Sequence, residues 1–116
     1  MRSKSAAISD VDSQKKVYEN ALMVELVRSG VRVQQQKAVL VRYRGVVVGD
    51  YVVDILVEEG LLVEVKALDR FSPMHDAQVM NYLRATGCPV GLLLNFGRPQ
   101  LGIRRLVWNH NESNRI

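Results

Sequence analysis

Asp54, Glu64 and Lys66 are ionisable residues set inside two apolar, β-branched runs, Tyr51 to Val57 and Leu61 to Leu68. Such groups are rarely buried in strands without a partner or a metal. Glu58-Glu59-Gly60 separates the runs and reads as the turn of a β-hairpin. A three-residue loop with Gly60 in the left-handed region pairs Val57 with Leu61 and sets Asp54 opposite Glu64, with Cβ atoms roughly 5 Å apart. A two-residue loop would slip the register and send the carboxylates to opposite faces. Carboxylates that close repel unless a positive charge lies between them, and a divalent cation supplies one. Lys66 shares the face of Glu64, whereas Val63 and Val65 take the other.

Two helices flank this hairpin. Residues 13–28 have helical periodicity, with Asp12 or Ser13 to cap the start and Gly30 past the end. The helix is apolar over most of its circumference between Ala21 and Val27, so it is expected to be largely buried. Glu19 at its edge is either a solvated or ion-paired glutamate or a third acid reaching toward Asp54 and Glu64. Ser72-Pro73 starts a second helix that runs to about Thr86 and is ended by Gly87. Gln78 and Tyr82 are four apart on one face of it, with His75 a turn earlier. They could hold a phosphate or steady a metal-bound water, or form a plain surface pair; His75 reads as a surface histidine or a ligand. The opposite side, Met74, Ala77, Met80 or Leu83, is expected to pack on the sheet.

The remaining elements are strands: Val31 to Tyr43, an Arg44-Gly45 turn, and Val46 to Val57 with Gly49 marking a bulge. Val90 to Asn95 follows the second helix as a strand buried on both faces, and Leu101 to Trp108 follows as an edge strand carrying Arg104 and Arg105. The expected organisation is a mobile arm (1–12), one domain (13–108) and a polar tail (109–116). The expected class is α/β (α+β).

At 116 residues, 47% hydrophobic and 24% charged, the chain is an ordinary globular domain. No apolar run reaches the roughly 18 residues of a membrane span, and Met1-Arg-Ser-Lys-Ser lacks the apolar core of a signal peptide. The single cysteine, Cys88, fits a free core thiol in a reducing cytoplasm. A net charge of +4 permits a polyanion partner without demonstrating one. Gly-rich phosphate loops and a nucleophile-elbow serine are absent from the sequence, and one Cys with two separated histidines cannot build the usual zinc sites. An all-oxygen carboxylate site survives, suited to Mg²⁺ or Mn²⁺.

Asp54, nine residues, then Glu64-Val65-Lys66 resembles the D-x(n)-E-x-K signature of the PD-(D/E)xK nuclease superfamily, and Gln78 with Tyr82 resembles the Q-x-x-x-Y motif of its RecB-like and lambda-exonuclease-like branches. More narrowly, Val17 to Leu22, Val63 to Ala67, Ala77-Gln78 with Asn81 to Leu83, and Gly91 to Gly97 are similar to the small GxxExxY family, over residues 12–108 or so. Counting back from Tyr18, that family's glycine and glutamate fall on Asp12 and Lys15, so its namesake motif keeps only the tyrosine.

The resemblance implies a restriction-endonuclease-like αβββαβ core with a mixed sheet. It also implies a Mg²⁺- or Mn²⁺-dependent phosphodiesterase cutting nucleic acid, DNA favoured over RNA. Asp54, Glu64 and the Val65 carbonyl would hold metal, with Glu19 completing the shell directly or through water. Lys66 would orient or deprotonate the attacking water, or stabilise the pentavalent phosphate. Gln78 and Tyr82 would steady water and phosphate, and Arg42, Arg44, Arg70, Arg84 and Arg98 are candidates for backbone phosphate contacts. A homodimer is compatible with cutting both strands. Two other classes compete: a nucleic-acid-binding module on the same scaffold with weak or lost cleavage, and a protein-interaction domain with a vestigial ion site. The intact Asp54, Glu64 and Lys66 favour the enzyme; the altered first helix favours the others.

Overall fold

The computed structural model describes residues 10–58 and 60–108. The expected N-terminal arm up to residue 9, Glu59 of the turn and the polar tail at 109–116 lie outside these residues. In chain order the elements are α1 (Asp10–Arg28), β1 (Val33–Tyr43), β2 (Val46–Val57), β3 (Leu61–Lys66), α2 (Pro73–Thr86), β4 (Val90–Asn95) and β5 (Gly102–Val107). The strands form one mixed sheet in the order β1-β2-β3-β4-β5, with β3 and β4 parallel and the other neighbours antiparallel. This is an α+β architecture, a mixed sheet flanked by two helices. Among the described residues no helix is long and apolar enough to cross a membrane.

Each helix covers one face of the sheet. Leu22, Met23 and Leu26 of α1 pack with Ile55, Val57 and Val63, whereas Val79, Tyr82 and Leu83 of α2 pack with Val39, Val53, Leu62 and Leu93. Leu92 and Leu94 face the α1 cluster and Leu93 faces the α2 cluster, so β4 is covered on both sides, as its unbroken apolar run implies. Buried Cys88 is a free thiol in the α2 cluster.

Two helix expectations need correction. α1 begins at Asp10, and its Leu22–Met23–Leu26 stripe joins the apolar core while Val17, Val24 and Val27 are 65%, 54% and 58% exposed. The helix lies on the sheet along one line, so Val17, Val24 and Val27 on its outer side are left exposed, while Tyr18 stacks on Phe96. On α2 the buried residues are Val79, Tyr82 and Leu83, while Met74 and Ala77 face outward. The packing face is therefore rotated toward Tyr82, which belongs to the core.

The hairpin follows the three-residue loop. Gly60 has φ 105°, its amide donates to the Val57 carbonyl, and the register runs Val57↔Leu61, Leu56↔Leu62, Ile55↔Val63. The β1–β2 turn has Arg44 and Gly45 both in the left-handed region, the pattern of a type I′ hairpin. Register slips between Val41 and Arg42, leaving Val48 as the extra residue beside Gly49, where a bulge was expected.

Buried Asn95 closes the end of the sheet. Its Oδ1 accepts from the amides of Leu68 (2.7 Å) and Gly97 (3.0 Å), and its Nδ2 donates to the Leu68 carbonyl (3.0 Å). Gly97 is required there, because a Cβ would stand 2.4 Å from the Leu68 backbone. Asn95→Ala is expected to strand these backbone groups and cost about 2 kcal/mol, a fall of roughly 10 °C in Tm. A thermal melt of the variant superimposing on wild type would refute this clamp.

Candidate active site

The carboxylates sit where the β2–β3 ladder stops. After Ile55↔Val63 the next residues in register are Asp54 and Glu64, and here side chains replace the backbone pairing. The Asp54 amide donates to Glu64 Oε2 (3.0 Å), and the Val65 amide donates to Asp54 Oδ2 (2.8 Å). The strands thus open at the two acids and are held by them.

The opening coincides with a change of face in β1 and β2. Ile55 and Val57 pack toward α1, but Tyr51 and Val53 pack toward α2, although residues of equal parity share a face in a regular strand. β1 does the same between Val33 and Val39. The switch falls at Gln36, which has φ 54° and is missing, with Asp54, from the β1–β2 register. A left-handed glutamine in a strand is unusual. Its reward is the position of its amide: Nε2 donates to Glu19 Oε2 (2.7 Å) and to Asp54 Oδ1 (3.2 Å). Gln35 Nε2 also donates to Glu19 Oε2 (2.8 Å), and Lys16 Nζ lies 3.4 Å from it. Glu19, only 1% exposed, is therefore fully engaged and lies on the α1 side of the sheet.

Glu64 is on the other face with Lys66, toward α2. Lys66 Nζ donates to Gln78 Oε1 (2.9 Å), which joins two of the expected site residues directly. Tyr82 packs its ring against Tyr51, with centroids 4.9 Å apart. Burial, reinforced by the negative charges of Glu64 and Asp54, pushes the Tyr82 hydroxyl up to about 12, so it stays protonated and can donate. Burial first, and the adjacent Asp54 charge second, raise Glu64 to about 8; the hydrogen bond from the Asp54 amide, then the Lys66 and Lys15 charges, oppose this only in part. Glu64 is 4% exposed, and among the described residues its Oε1 accepts no hydrogen bond. A buried carboxyl oxygen without a donor, next to Asp54 and Val65, is what an all-oxygen cation site requires. No three acidic, His or Cys side chains converge into a metal cluster among the described residues, since Gln36 stands between Glu19 and Asp54.

A pocket of about 230 Å³ opens onto Asp54 between α1 and β1, lined by Asp12, Lys15, Lys16, Glu19, Gln36 and Asp54. A larger one of about 580 Å³ lies near the Glu58–Gly60 turn and Gly87, away from the three acids.

The arginines are not gathered here. Arg42 pairs with Val47 and Arg44 stacks on Tyr43 at the hairpin tip, roughly 20 Å along β2 from Asp54. Arg84 is exposed on α2 near Asn81, Arg98 donates to the Asp69 carbonyl, and Arg70 is exposed in the connector. His75 is neither a free surface residue nor a site residue: its Nδ1 accepts from the Ser72 amide at the start of α2. Sequence reasoning overlooked Lys15, Lys16, Gln35 and Gln36 as site residues. A signal existed, because three glutamines in succession, 34–36, are out of place in an apolar strand.

Residues 12–106 match the sequence model of the PD-(D/E)XK nuclease superfamily. No curated protein matches the chain. Among solved structures, the fold is similar to SSO0001 (TM-score 0.60, 15% identity), covering 86% of this chain and 54% of that one. It is also similar to LHK-Exo in complex with dAMP (TM-score 0.63, 14% identity), covering 92% and 63%. A second structure of LHK-Exo, an alkaline exonuclease from Laribacter hongkongensis, gives a TM-score of 0.52 at 13% identity, covering 93% and 63%. The chain spans less than two thirds of the length of each of these neighbours.

Proposed function

The chain belongs to the PD-(D/E)XK nuclease superfamily, and we propose that it is a Mg²⁺- or Mn²⁺-dependent phosphodiesterase acting on nucleic acid, with DNA as its substrate. The observation that carries the reading is the opened hairpin, where Asp54 and Glu64 are buried side by side with one carboxyl oxygen unpartnered among the described residues and Lys66 held by Gln78. The preference for DNA is supported by the dAMP bound to a neighbour of similar fold.

Asp54, Glu64 and the Val65 carbonyl would hold the cation, with Glu19 acting at one remove through Gln36. A hard divalent ion, when bound, supplies Lewis acidity toward the scissile phosphate and the attacking water. Lys66 orients that water or takes its proton at Nζ, or places its charge on the phosphate as negative charge builds there. Gln78 fixes the Lys66 ammonium by accepting from it. The Tyr82 hydroxyl, protonated throughout the working range, donates to a phosphate oxygen. Lys15 and Lys16 line the approach and attract the polyanion. A reducing cytoplasm is the compartment that suits the lone thiol of Cys88.

Cleavage of labelled single-stranded and duplex DNA and RNA tests the reading. DNA is expected to be cut with Mg²⁺ or Mn²⁺; chelation with EDTA should lower the rate at least about 100-fold, and added Mn²⁺ should restore it. Equal rates with and without chelator, or no cutting of any substrate with either ion, would sink it.

A further inference from the structure

Lys15 and Glu19 are four residues apart on α1, so both project from one helical face into the pocket that ends on Asp54. Lys15 is half-buried, in a pocket whose other walls include buried Glu19 and Asp54. Lys16 lines the same pocket but is half exposed and pairs with Glu19 at 3.4 Å. Lys66 is turned to Gln78.

The charges have a simple consequence. Asp54, Glu64 and Glu19 are three buried carboxylates. With Lys16 paired to Glu19, one divalent cation matches Asp54 and Glu64, and Lys15 already adds a positive charge beside them. Two divalent cations beside that lysine would leave a positive surplus in a low-dielectric pocket, which is costly. Gln36 already donates to both Glu19 and Asp54, so an ion entering between them would have to displace its amide, and Lys15 offers no ligand in return. We propose that Lys15 is a built-in cation of the active site, taking the place of a second divalent ion on the α1 side, so that the chain binds one divalent cation. The inference rests on the metal-dependent reading above and specifies how many ions that reading requires.

Counting bound Mn²⁺ tests it, by isothermal titration and by the electron paramagnetic resonance signal of free Mn²⁺, with and without a non-hydrolysable DNA oligonucleotide. Wild type is expected to bind one Mn²⁺ per chain. Lys15→Glu replaces the cation by a ligand and is expected to bind two. Lys15→Gln removes the charge without adding a ligand and should stay at one, bound about three- to tenfold tighter. Two ions per wild-type chain overturn the proposal, as does one ion in a Lys15→Glu variant that melts cooperatively, or an unchanged affinity in Lys15→Gln. No ion bound by any of the three, or binding indifferent to Glu64→Ala, would remove the metal-dependent reading itself. Stoichiometry thus separates failure of the inference from failure of its premise.

Discussion

Lys66→Ala is expected to lower kcat for DNA cleavage by about 10²–10⁴-fold while leaving Mn²⁺ affinity nearly unchanged. The split follows from where the side chain points. Lys66 bonds to Gln78 on α2 and makes no hydrogen bond to Asp54 or Glu64 among the described residues, so its loss removes no metal ligand. What it removes is the protein cation proposed to act on the attacking water, whose effect is felt in the transition state rather than in binding. Lys66→Arg is not expected to rescue: a planar guanidinium neither fits the single acceptor that Gln78 offers nor gives up a proton. One secondary effect must be controlled. Lys66 helps hold Glu64 down, so its removal raises Glu64 further above about 8. Metal affinity should therefore be compared over a pH series reaching pH 9, where Glu64 is mostly ionised in wild type. A variant with undiminished kcat would exclude Lys66 from the chemistry, and one that loses Mn²⁺ binding at that pH would make it structural.

Much of this arrangement was legible because short-range rules decided it. Gly60 determined the loop type, and the loop determined that Asp54 faces Glu64 across the ladder. Helix positions i and i+4 put Gln78 and Tyr82 together, and the strand period put Lys66 on the face that reaches Gln78. What failed depended on tertiary placement. The unbroken apolar character of α1 says that it can be buried, not that only one stripe has a surface to cover it. The rotation of α2 that draws Tyr82 into the core depends on where Leu62 and Leu93 lie beneath it. The role of Gln36 was least legible of all. It arises from a left-handed backbone at a residue that rarely adopts one, and from two strands changing face together at Asp54. A substituted helix position, by contrast, could be seen but not interpreted: Lys15 looked like a lost acid until the pocket placed it beside Glu19 and Asp54.

Glu64→Gln should make the metal-free protein more stable at pH 8 while abolishing Mn²⁺ binding. Glu64 ionises near 4.5 when unfolded, but burial and the adjacent Asp54 hold it at about 8 in the fold. Folding therefore favours the protonated form. Below pH 4.5 both states carry the proton and the residue costs nothing. Between pH 4.5 and 8 the unfolded chain ionises first, so stability declines as pH rises and levels off above 8. Gln has the same shape, still accepts from the Asp54 amide, and has no proton to lose, so it avoids this decline. At about 1.4 kcal/mol per pH unit the full window gives an upper bound, and relaxation of the site should leave a gain of about 1–3 kcal/mol at pH 8 and little at pH 5. Mn²⁺ should reverse the order of benefit. Wild type gains about 2.7 kcal/mol at a hundredfold excess over Kd, more readily at pH 8 than at pH 6 because fewer molecules must release the Glu64 proton, whereas the variant gains nothing. Thermal melts of both proteins at pH 5, 6.5 and 8, with and without Mn²⁺, measure each of these differences. A metal-free variant less stable than wild type at pH 8 would mean that Glu64 is satisfied within the fold. The site would then hold no unbalanced charge for a cation to relieve.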